Sequence, residues 1–338
     1  MRWFTGVAVV AVGVLVGAGA AGCGDSAGAN GTIVLYSAQH ENLIKPMIEG
    51  FEKETKIKVD VRGGGDSQLS NQIVQEGDSS PGDVFVTENS PAMTLVDSRG
   101  GFAPLDQATL SQVPSQFVPS SHNWVGFAAR TTVLVYNPGT LPEDQLPTSL
   151  MDLKDPKWQG KFGVAAAGAD FQAIVSAVLA TKGEADATSW IAGLKSNAKV
   201  YPNNRSILKA VNDGELQAGV IYHYYWYQDR AESGADSKNA ELRFFGAKDP
   251  GAFLSISGAG VLKASKQKDK AQQFVNYLLS KQAQQILADG ESLEYPLANG
   301  VVANAKLKPL TELDPPVIDP ATLNGPKVVE LMRGAGLL

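Results

Sequence analysis

The hydrophobic pattern after residue 31 starts as short apolar runs that alternate with segments of helical spacing. Residues 32–36 form a nearly continuous apolar run, which is typical of a strand buried on both faces. Apolar side chains then recur at helical spacing over 43–51. Strand patterns return at 57–61 and 83–87, with a second helix predicted between them. This β-α-β-α-β order predicts a parallel sheet with helices on its faces.

The pattern continues with a second group of strands and helices and then returns to the first group. The elements predicted in this part are strands at 132–136, 161–165, 218–221 and 258–262, and helices at 171–182, 187–194, 206–211 and 266–288. The chain therefore predicts an α/β protein of two lobes with a cleft between them. Lobe 1 is expected to begin at 32–124, lobe 2 to occupy 125–255, and residues 256–338 to return to lobe 1 and supply closing helices.

The N-terminus has the composition of an export signal. One arginine, an apolar stretch and small residues at its end are typical of a secretory signal peptide over residues 1–22, not of a membrane-spanning helix. Cys23, the only cysteine, stands where a bacterial lipobox places the lipidated residue. We expect a lipid anchor there, a flexible tether over 23–31, and an extracytoplasmic protein at the cell surface or in the periplasm. An ordinary signal peptide with an incidental cysteine is the alternative.

Removal of residues 1–22 would leave an acidic chain. Lys+Arg falls from 29 to 28 against 35 acidic residues, so the net charge moves from −6 to −7. An acidic chain without a basic run argues against nucleic acid and anionic lipid surfaces as partners, which leaves the lipid anchor as the only predicted membrane contact. We expect two lobes, because the remaining chain is longer than one hydrophobic core normally spans. We also expect a monomer.

An aromatic cluster marks the predicted second lobe. Residues 222–227 read Tyr-His-Tyr-Tyr-Trp-Tyr. A buried phenol oxygen needs a polar partner, so adjacent tyrosines indicate a polar target. A hard, highly charged metal ion is one target that suits phenolate oxygen, and the cluster therefore indicates a possible metal site.

Four candidate ligands follow strand ends on the two sides of the predicted cleft. His40 follows the first strand, Glu88 the third, and Tyr224 and Tyr225 the strand at 218–221. Ligands bind beyond the carboxyl ends of such strands, so we expect one nitrogen, one carboxylate and two phenolates to converge. This donor set matches Fe³⁺, because only a strongly charged ion holds a phenol with a pKa of about 10 deprotonated at neutral pH.

Taken singly, these residues have ordinary structural explanations. A histidine in a loop is more often solvated than bound to metal, and Glu88 could be a surface charge. Adjacent tyrosines could pack between the lobes. The chain has 3 histidines, and His223 is the second one at a predicted cleft position. The joint placement at strand ends is what favours a metal site.

Several segments match a known family: 35–40 (Leu-Tyr-Ser-Ala-Gln-His), 77–85 with Glu88, 224–226 (Tyr-Tyr-Trp), 249–252 (Asp-Pro-Gly-Ala) and 294–297 (Glu-Tyr-Pro-Leu). On these segments the chain resembles the ferric-ion-binding substrate-binding proteins of ABC iron importers, a bacterial transferrin-like group. The resemblance implies a type II-like periplasmic-binding-protein fold, each lobe a mixed, mostly parallel sheet with flanking helices. It implies Fe³⁺ as the transported ligand, an ABC permease as partner, and as metal ligands His40, Glu88, Tyr224 and Tyr225.

The resemblance also implies an anion site beside the metal, which this sequence matches only in part. Family members that bind phosphate use a Ser-Gly-Ala turn at a helix N-terminus and two Asn side chains. The turn here is Ala167-Gly168-Ala169. The N–H groups of Gly168 and Ala169 could still hold an anion, although the hydroxyl is lost. Asp170, the next residue, would disfavour a dianion if its side chain points inward.

Four other residues belong to the predicted anion side. Asn204 matches one family asparagine, and Tyr222 stands in place of the other. Tyr222 is expected to form a hydrogen bond next to the metal, with direct ligation as the alternative. Arg130 and Arg205 could supply positive charge. Carbonate, phosphate, or water alone are therefore all compatible with the sequence as partners of the metal.

Three functions compete at this point. The first is capture of Fe³⁺ by closure of the lobes, followed by docking on an ABC permease. The second is a binding protein of the same fold for an organic or oxyanion ligand such as a phosphonate, sulfate or polyamine, since a fold alone does not identify a ligand. The third, an extracellular hydrolase, has little support, because the only cysteine belongs to the predicted anchor and no His-Glu-x-x-His motif occurs. The four ligands favour iron and predict that the protein is not an enzyme.

Overall fold

The computed structural model describes residues 31–338. The predicted signal peptide at 1–22, the lipid anchor at Cys23 and the tether up to residue 30 lie outside the described residues. Among the helices of residues 31–338, none is both long enough and apolar enough to cross a membrane.

Ten strands occur in the described residues, and each predicted apolar run overlaps one of them. The central strand β4 is buried along its whole length, as expected for a strand that is covered on both faces. The strands are β1 (Thr32–Ser37), β2 (Lys58–Gly63), β3 (Val84–Val86), β4 (Val125–Tyr136), β5 (Phe162–Val164), β6 (Ala198–Val200), β7 (Ala218–Tyr222), β8 (Glu241–Arg243), β9 (Leu254–Val261) and β10 (Tyr295–Pro296).

The strands form two sheets that share β4. The order is β2-β1-β3-β9-β4-β7-β5-β6, with β10 and β8 also paired to β4. We call β2, β1, β3, β9, β10 and the first part of β4 the first sheet, and the remainder the second sheet. Strand β1 is parallel to β2 and β3, and β5 is parallel to β6 and β7, whereas β4 and β9 run antiparallel to their neighbours. The sheets are thus mixed, as predicted.

Strand β4 changes partner near its middle. Its residues up to Thr131 pair with β9, and from Thr132 onward they pair with β7 and β8. Arg130 lies opposite Ser255, just before this change. The crossing between the two sheets therefore lies inside a continuous strand.

Ten helices flank the two sheets within residues 31–338. Their apolar faces follow the predicted periodicity; in α1, for example, the side chains of Leu43, Met47 and Phe51 are all buried. The helices are α1 (Glu41–Thr55), α2 (Asp66–Glu76), α3 (Ser90–Ser98), α4 (Gln107–Leu110), α5 (Ala169–Asn197), α6 (Asn204–Asn212), α7 (His223–Glu232), α8 (Lys268–Leu278), α9 (Lys281–Asp289) and α10 (Gly325–Gly334).

Two helical patterns differ from their predicted extent. The helix predicted at 266–288 is two helices, α8 and α9, because Ser280 caps α9 by accepting the N–H of Ala283 at 3.1 Å. The helices predicted at 171–182 and 187–194 are both present within α5, where each extends further than predicted toward Gly183. They are separated only at Gly183, whose φ of 80° lies in the left-handed region that glycine tolerates.

Separate hydrophobic cores cover the two sheets. The first core is built from side chains of 33–129 and 256–313. The second is built mainly from 134–253 on one face of the second sheet, and a smaller cluster covers the opposite face. Helix α10 packs against α5 and adds Val328 and Met332 to the second core. Residues 256–313 thus return to the first core and the closing helix joins the second, while the lobe boundaries stay a prediction.

Candidate metal centre

Each predicted metal ligand lies immediately after a strand of one of the two sheets. His40 follows β1 and is the residue before α1, and Glu88 follows β3. Tyr224 and Tyr225 lie in the first turn of α7, which begins directly after β7. The first two residues thus come from the first sheet and the tyrosines from the second.

Three of the four predicted ligands are in mutual contact. His40 Nε2 lies 2.9 Å from Glu88 Oε1 and 3.1 Å from the phenol oxygen of Tyr224. The Tyr224 hydroxyl also donates to Glu88 Oε1 at 2.8 Å. Residues that are 136 and 184 positions away from Tyr224 in the sequence therefore meet at one point.

The fourth predicted ligand, Tyr225, contacts a carboxylate of its own. Its ring centroid lies 4.2 Å from that of Tyr224, but its hydroxyl donates to Asp170 Oδ2 at 2.9 Å. Asp170 is buried and also accepts hydrogen bonds from the side-chain amides of Asn89 at 3.0 Å and Asn204 at 2.7 Å. The side chain of Asp170 therefore points inward, toward the tyrosine pair.

Two functional candidates were not singled out by the sequence, Asp66 and Asn89. Asp66, the first residue of α2, accepts the backbone N–H groups of Glu88 and Asn89, each at 3.0 Å. The Asn89 amide joins Asp66 to Asp170. Asp66 fixes the segment that carries Glu88, and its position at a helix start was the one local signal for a role of this kind.

The residues predicted to bind an anion are divided between different environments. Gly168 precedes α5, and its N–H donates to the carbonyl of Ala165 at 2.8 Å. Ala169 opens α5, so its N–H belongs to the first turn of that helix. Asn204 is committed to Asp170. Arg205 is exposed, donates to Gln228 at 3.0 Å and lies 6.0 Å from the centre of the Tyr225 ring.

The polar groups of Arg130 and Tyr222, which were predicted to bind an anion, already have partners within the protein. The Arg130 guanidinium is fully buried and forms an ion pair with Glu294. Its positive charge is thus already matched by a carboxylate. The Tyr222 hydroxyl donates to Asn89 Oδ1 and to the Asp170 carbonyl, each at 3.3 Å, and its role beside a metal stays a prediction.

His223 does not lie in the cleft, contrary to the prediction. It is fully buried, its Nδ1 accepts the Thr131 N–H at 3.3 Å, and its ring stacks on Tyr295 at 5.0 Å. Burial and the positive charge of Arg130 lower the pKa of His223 to about 3. Because α7 starts at this residue, its side chain turns into the core while the next two turn toward the centre.

His40 and Glu88 form an ion pair. Burial by itself would lower the pKa of His40, but the hydrogen bond and charge of Glu88 outweigh burial and raise it. Burial likewise opposes ionisation of Glu88, but the contact with His40 and the charge of Arg130 lower the pKa of this carboxyl. The first-sheet side of the centre therefore presents an ionised carboxylate.

The two phenols and two buried carboxyl groups of the centre have a raised pKa. Burial, followed by the charges of Asp170 and Glu88, raises the pKa of Tyr224 and of Tyr225 well above that of an ordinary phenol. Burial and the charge of Glu88 also raise the pKa of Asp170 to about 7. Asp66 behaves in the same way, with burial and Glu88 raising its pKa to about 7.

The donor types in this centre limit what it can bind. Within residues 31–338, no group of three or more His, Cys, Asp or Glu side chains is arranged to hold a metal ion. A metal in this cleft would therefore depend on phenol oxygens in addition to His40 and Glu88. One nitrogen, carboxylates and two phenols form an oxygen-rich set, which suits a hard cation that can displace phenol protons.

Comparison with known proteins gives a consistent result. Residues 79–316 match the family described as bacterial extracellular solute-binding protein. The chain is 52% identical over 332 residues to the Fe(3+)-binding periplasmic protein of Serratia marcescens, covering 98% of this chain and 97% of the relative. It is 35% identical over 308 residues to the major ferric iron-binding protein of Neisseria meningitidis, covering 90% and 93%.

A solved structure supports the same relationship. The chain superposes on iron-bound HitA from Pseudomonas aeruginosa with a TM-score of 0.84 and 42% sequence identity, over 90% of this chain and 99% of HitA. This likeness confirms the predicted fold class, and the resemblance to ferric-ion-binding proteins is confirmed as well. The chain belongs to the bacterial extracellular solute-binding proteins, which are extracytoplasmic binding proteins and not enzymes.

Proposed function

We propose that this protein captures Fe³⁺ in the cleft between its two sheets and carries it to an ABC permease. The observation that carries the proposal is the contact among His40, Glu88 and Tyr224, at 2.8 to 3.1 Å. These side chains come from opposite sides of the cleft, so one ion bound there would hold the two sides together. Tyr225 is the fourth ligand in this proposal.

The protonation of the tyrosines supports a trivalent ion as the cargo. Both phenols have a raised pKa, so each must lose a proton before it can act as an anionic ligand. Only a strongly polarising cation repays that cost at neutral pH. Ca²⁺ prefers carboxylate and carbonyl oxygens, and Zn²⁺ prefers nitrogen and sulfur. Fe³⁺ fits the donor set better than either.

Asp170 takes the part that an external anion would otherwise play. Its buried carboxylate accepts the hydroxyl of Tyr225 and the amides of Asn89 and Asn204. It occupies the start of α5, next to the predicted anion-binding turn at Gly168 and Ala169. With a pKa of about 7, Asp170 is ionised in a substantial fraction of molecules at neutral pH, and its carboxylate then repels a second anion at this point. In this proposal the protein therefore binds iron without added carbonate or phosphate.

Delivery and anchoring follow from the family and from the N-terminal sequence. The relatives named above are ferric-binding proteins, one of them periplasmic, which supports iron import as the process. Cys23 is proposed to carry the lipid that keeps the protein at the membrane, where the permease would receive the iron. The protein is proposed to act as a monomer.

Titration of the metal-free protein with ferric citrate, followed by visible absorption, tests the proposal. A phenolate-to-iron charge-transfer band that saturates at one equivalent is expected, and Tyr224→Phe and Tyr225→Phe should each lose intensity and at least about 100-fold in affinity. Tyr227→Phe, on the same helix, is the matched control and should behave as the parent. Absence of colour at every ratio would refute iron binding and favour an organic or oxyanion ligand.

A further inference from the structure

The segment 294–297, one of the family-matching motifs, takes no part in the proposed set of ligands. Glu294 is nonetheless fully buried, and its carboxylate pairs with the equally buried guanidinium of Arg130, whose Nε lies 3.0 Å from Glu294 Oε2. The next two residues, Tyr295 and Pro296, form β10 and pair with β4 immediately before Arg130. The motif therefore places the buried carboxylate of Glu294 against Arg130, close to the candidate metal centre.

The remaining donors of Arg130 reach toward the segment that carries Glu88. One terminal nitrogen, Nη1, donates to the backbone carbonyl of Glu88. The other, Nη2, donates to the hydroxyl of Ser257 in β9 and to Glu294. The Ser257 hydroxyl also lies 3.4 Å from the Glu88 carbonyl. Arg130 thus holds the main chain of Glu88, while the Glu88 side chain contacts His40 and Tyr224 in the centre.

A second branch of the same network reaches His40. The Gln39 amide nitrogen donates to the Ser257 hydroxyl at 2.5 Å, and the backbone N–H of His40 donates to Gln39 Oε1 at 2.7 Å. Gln39 and Ser257 are both buried. Two ligand-bearing segments that are 48 residues apart are therefore tied through their main chains to one guanidinium.

Arg130 lies buried at the junction of the two sheets. Arg130 lies on β4 just before the strand changes partner from β9 to β7. A buried ion pair is weak evidence for stability, because the desolvation of two charges offsets their attraction. Such a pair can instead serve to orient other groups, as residues that hydrogen-bond to metal ligands do.

We propose that Arg130, clamped by Glu294, is a positioning residue that sets the placement of Glu88 and, through Ser257 and Gln39, of His40. This proposal rests on the function proposed above. It predicts that a variant without the network binds iron more weakly than a variant that is equally destabilised but keeps the network. Loss of a residue that hydrogen-bonds to a metal ligand typically lowers metal affinity by about 10- to 100-fold.

The main test compares the parent with Arg130→Met/Glu294→Gln, which removes both buried charges and leaves neither unpaired. At a temperature where both proteins are folded, the double variant should bind Fe³⁺ about 10- to 100-fold more weakly in competition with citrate. Its electron paramagnetic resonance spectrum should also change, since the ligand geometry has changed. Asn197→Ala is the matched control. Asn197 is buried at the C-terminal end of α5, where its side chain donates to the Leu153 carbonyl, so its loss should lower Tm without changing affinity or spectrum.

Milder variants keep the test decisive if the double variant does not fold. Ser257→Ala and Gln39→Met both leave the Arg130–Glu294 pair intact. Gln39→Met cuts only the branch to His40, whereas Ser257→Ala also removes the hydroxyl contacts with Arg130 and with the Glu88 carbonyl. Each should weaken iron binding by about 10-fold and alter the spectrum. Parent affinity and an unchanged spectrum in these variants, or in a folded double variant, would overturn the proposal.

The outcomes separate this proposal from the one on which it rests. If the parent protein itself gives no charge-transfer band with ferric citrate, the proposed function fails. If the parent binds iron and the network variants bind it equally well with an identical spectrum, only the positioning role fails.

Discussion

The two sides of the candidate centre hold their side chains in different ways. On the first-sheet side, His40 and Glu88 are held through their main chains by Gln39, Asp66 and Arg130. On the second-sheet side, the tyrosines begin a helix and are held through their hydroxyl groups, Tyr224 by Glu88 and Tyr225 by Asp170. The first-sheet side has fixed main-chain segments. In the proposed function, the Glu88 carboxylate and both tyrosine hydroxyls would exchange their present partners for the metal.

The difference extends to charge. The pKa of Glu88 is lowered, so the first-sheet side presents an ionised carboxylate. The phenols of the second-sheet side have a raised pKa and keep their protons. In the proposed function, the cation is therefore attracted first by Glu88, whereas the dependence of binding on pH arises mainly at the tyrosines.

A pH titration is the strongest test of this comparison. Each phenol must lose a proton to bind, and the pH lies below both raised pKa values, so affinity should fall as pH falls. Two phenols give about 100-fold per pH unit, or about 10⁴-fold over two units, and His40 adds to this below its own raised pKa. The slope of log affinity against pH should be smaller by about one in Tyr225→Phe than in the parent. Equal slopes would contradict proton release at the tyrosines.

Replacement of the charge on the first-sheet side should give the next largest effect. Glu88→Gln removes the ionised carboxylate but leaves the phenols, so ferric affinity should fall about 100-fold while the coloured band is retained on saturation. Glu41→Gln, an exposed carboxylate in the first turn of α1, is the control and should have no effect. Loss of the band at saturating iron in Glu88→Gln would show that the two sides are not separable.

A smaller effect is expected at Asp170. In buffer free of carbonate and phosphate, the parent should keep its full affinity, and Asp170→Asn should lose about 10-fold. Added phosphate should restore binding to the variant, because the start of α5 is then open to an anion. Asp186→Asn changes an exposed carboxylate on the same helix and serves as control. A parent protein that requires added anion would refute the role given to Asp170.

The smallest effect on iron is expected at His223. His223→Phe keeps an aromatic ring against Tyr295 but leaves the Thr131 N–H without its acceptor, which should cost about 1–3 kcal/mol of stability. Tm should fall, and the iron band and affinity should stay at parent values. A changed band would place His223 among the groups that act on the metal.

Much of the fold was predictable because it depends on local pattern. The apolar runs that became β1, β3 and β7 and the helical spacing of α1 are visible in short windows of sequence. The approach of His40, Glu88 and Tyr224 was predictable for a related reason, since each follows a strand end and ligands bind in the crevice beyond such ends. Their roles as iron ligands stay a prediction.

The divided helix at 266–288 shows where local pattern was insufficient. The apolar period continues from α8 into α9, so the pattern alone predicts one helix. At the break, Ser280 accepts the N–H of Ala283, and the Gln284 side chain donates to the carbonyl of Leu278. Capping by one serine is a weak signal against a continuous apolar face.

By itself, the sequence determined the α/β elements, the export signal as a prediction, and the residue types offered to the cleft. Only the tertiary structure decided that His223 points into the core, that Asp170 turns toward Tyr225, and that Arg130 is paired with Glu294. The physical reason is that these outcomes depend on partners far apart in the chain; Arg130 and Glu294 are separated by 164 positions. Periodicity and propensity report only on neighbours, whereas the charge and orientation of a buried side chain are set by whatever the fold brings against it.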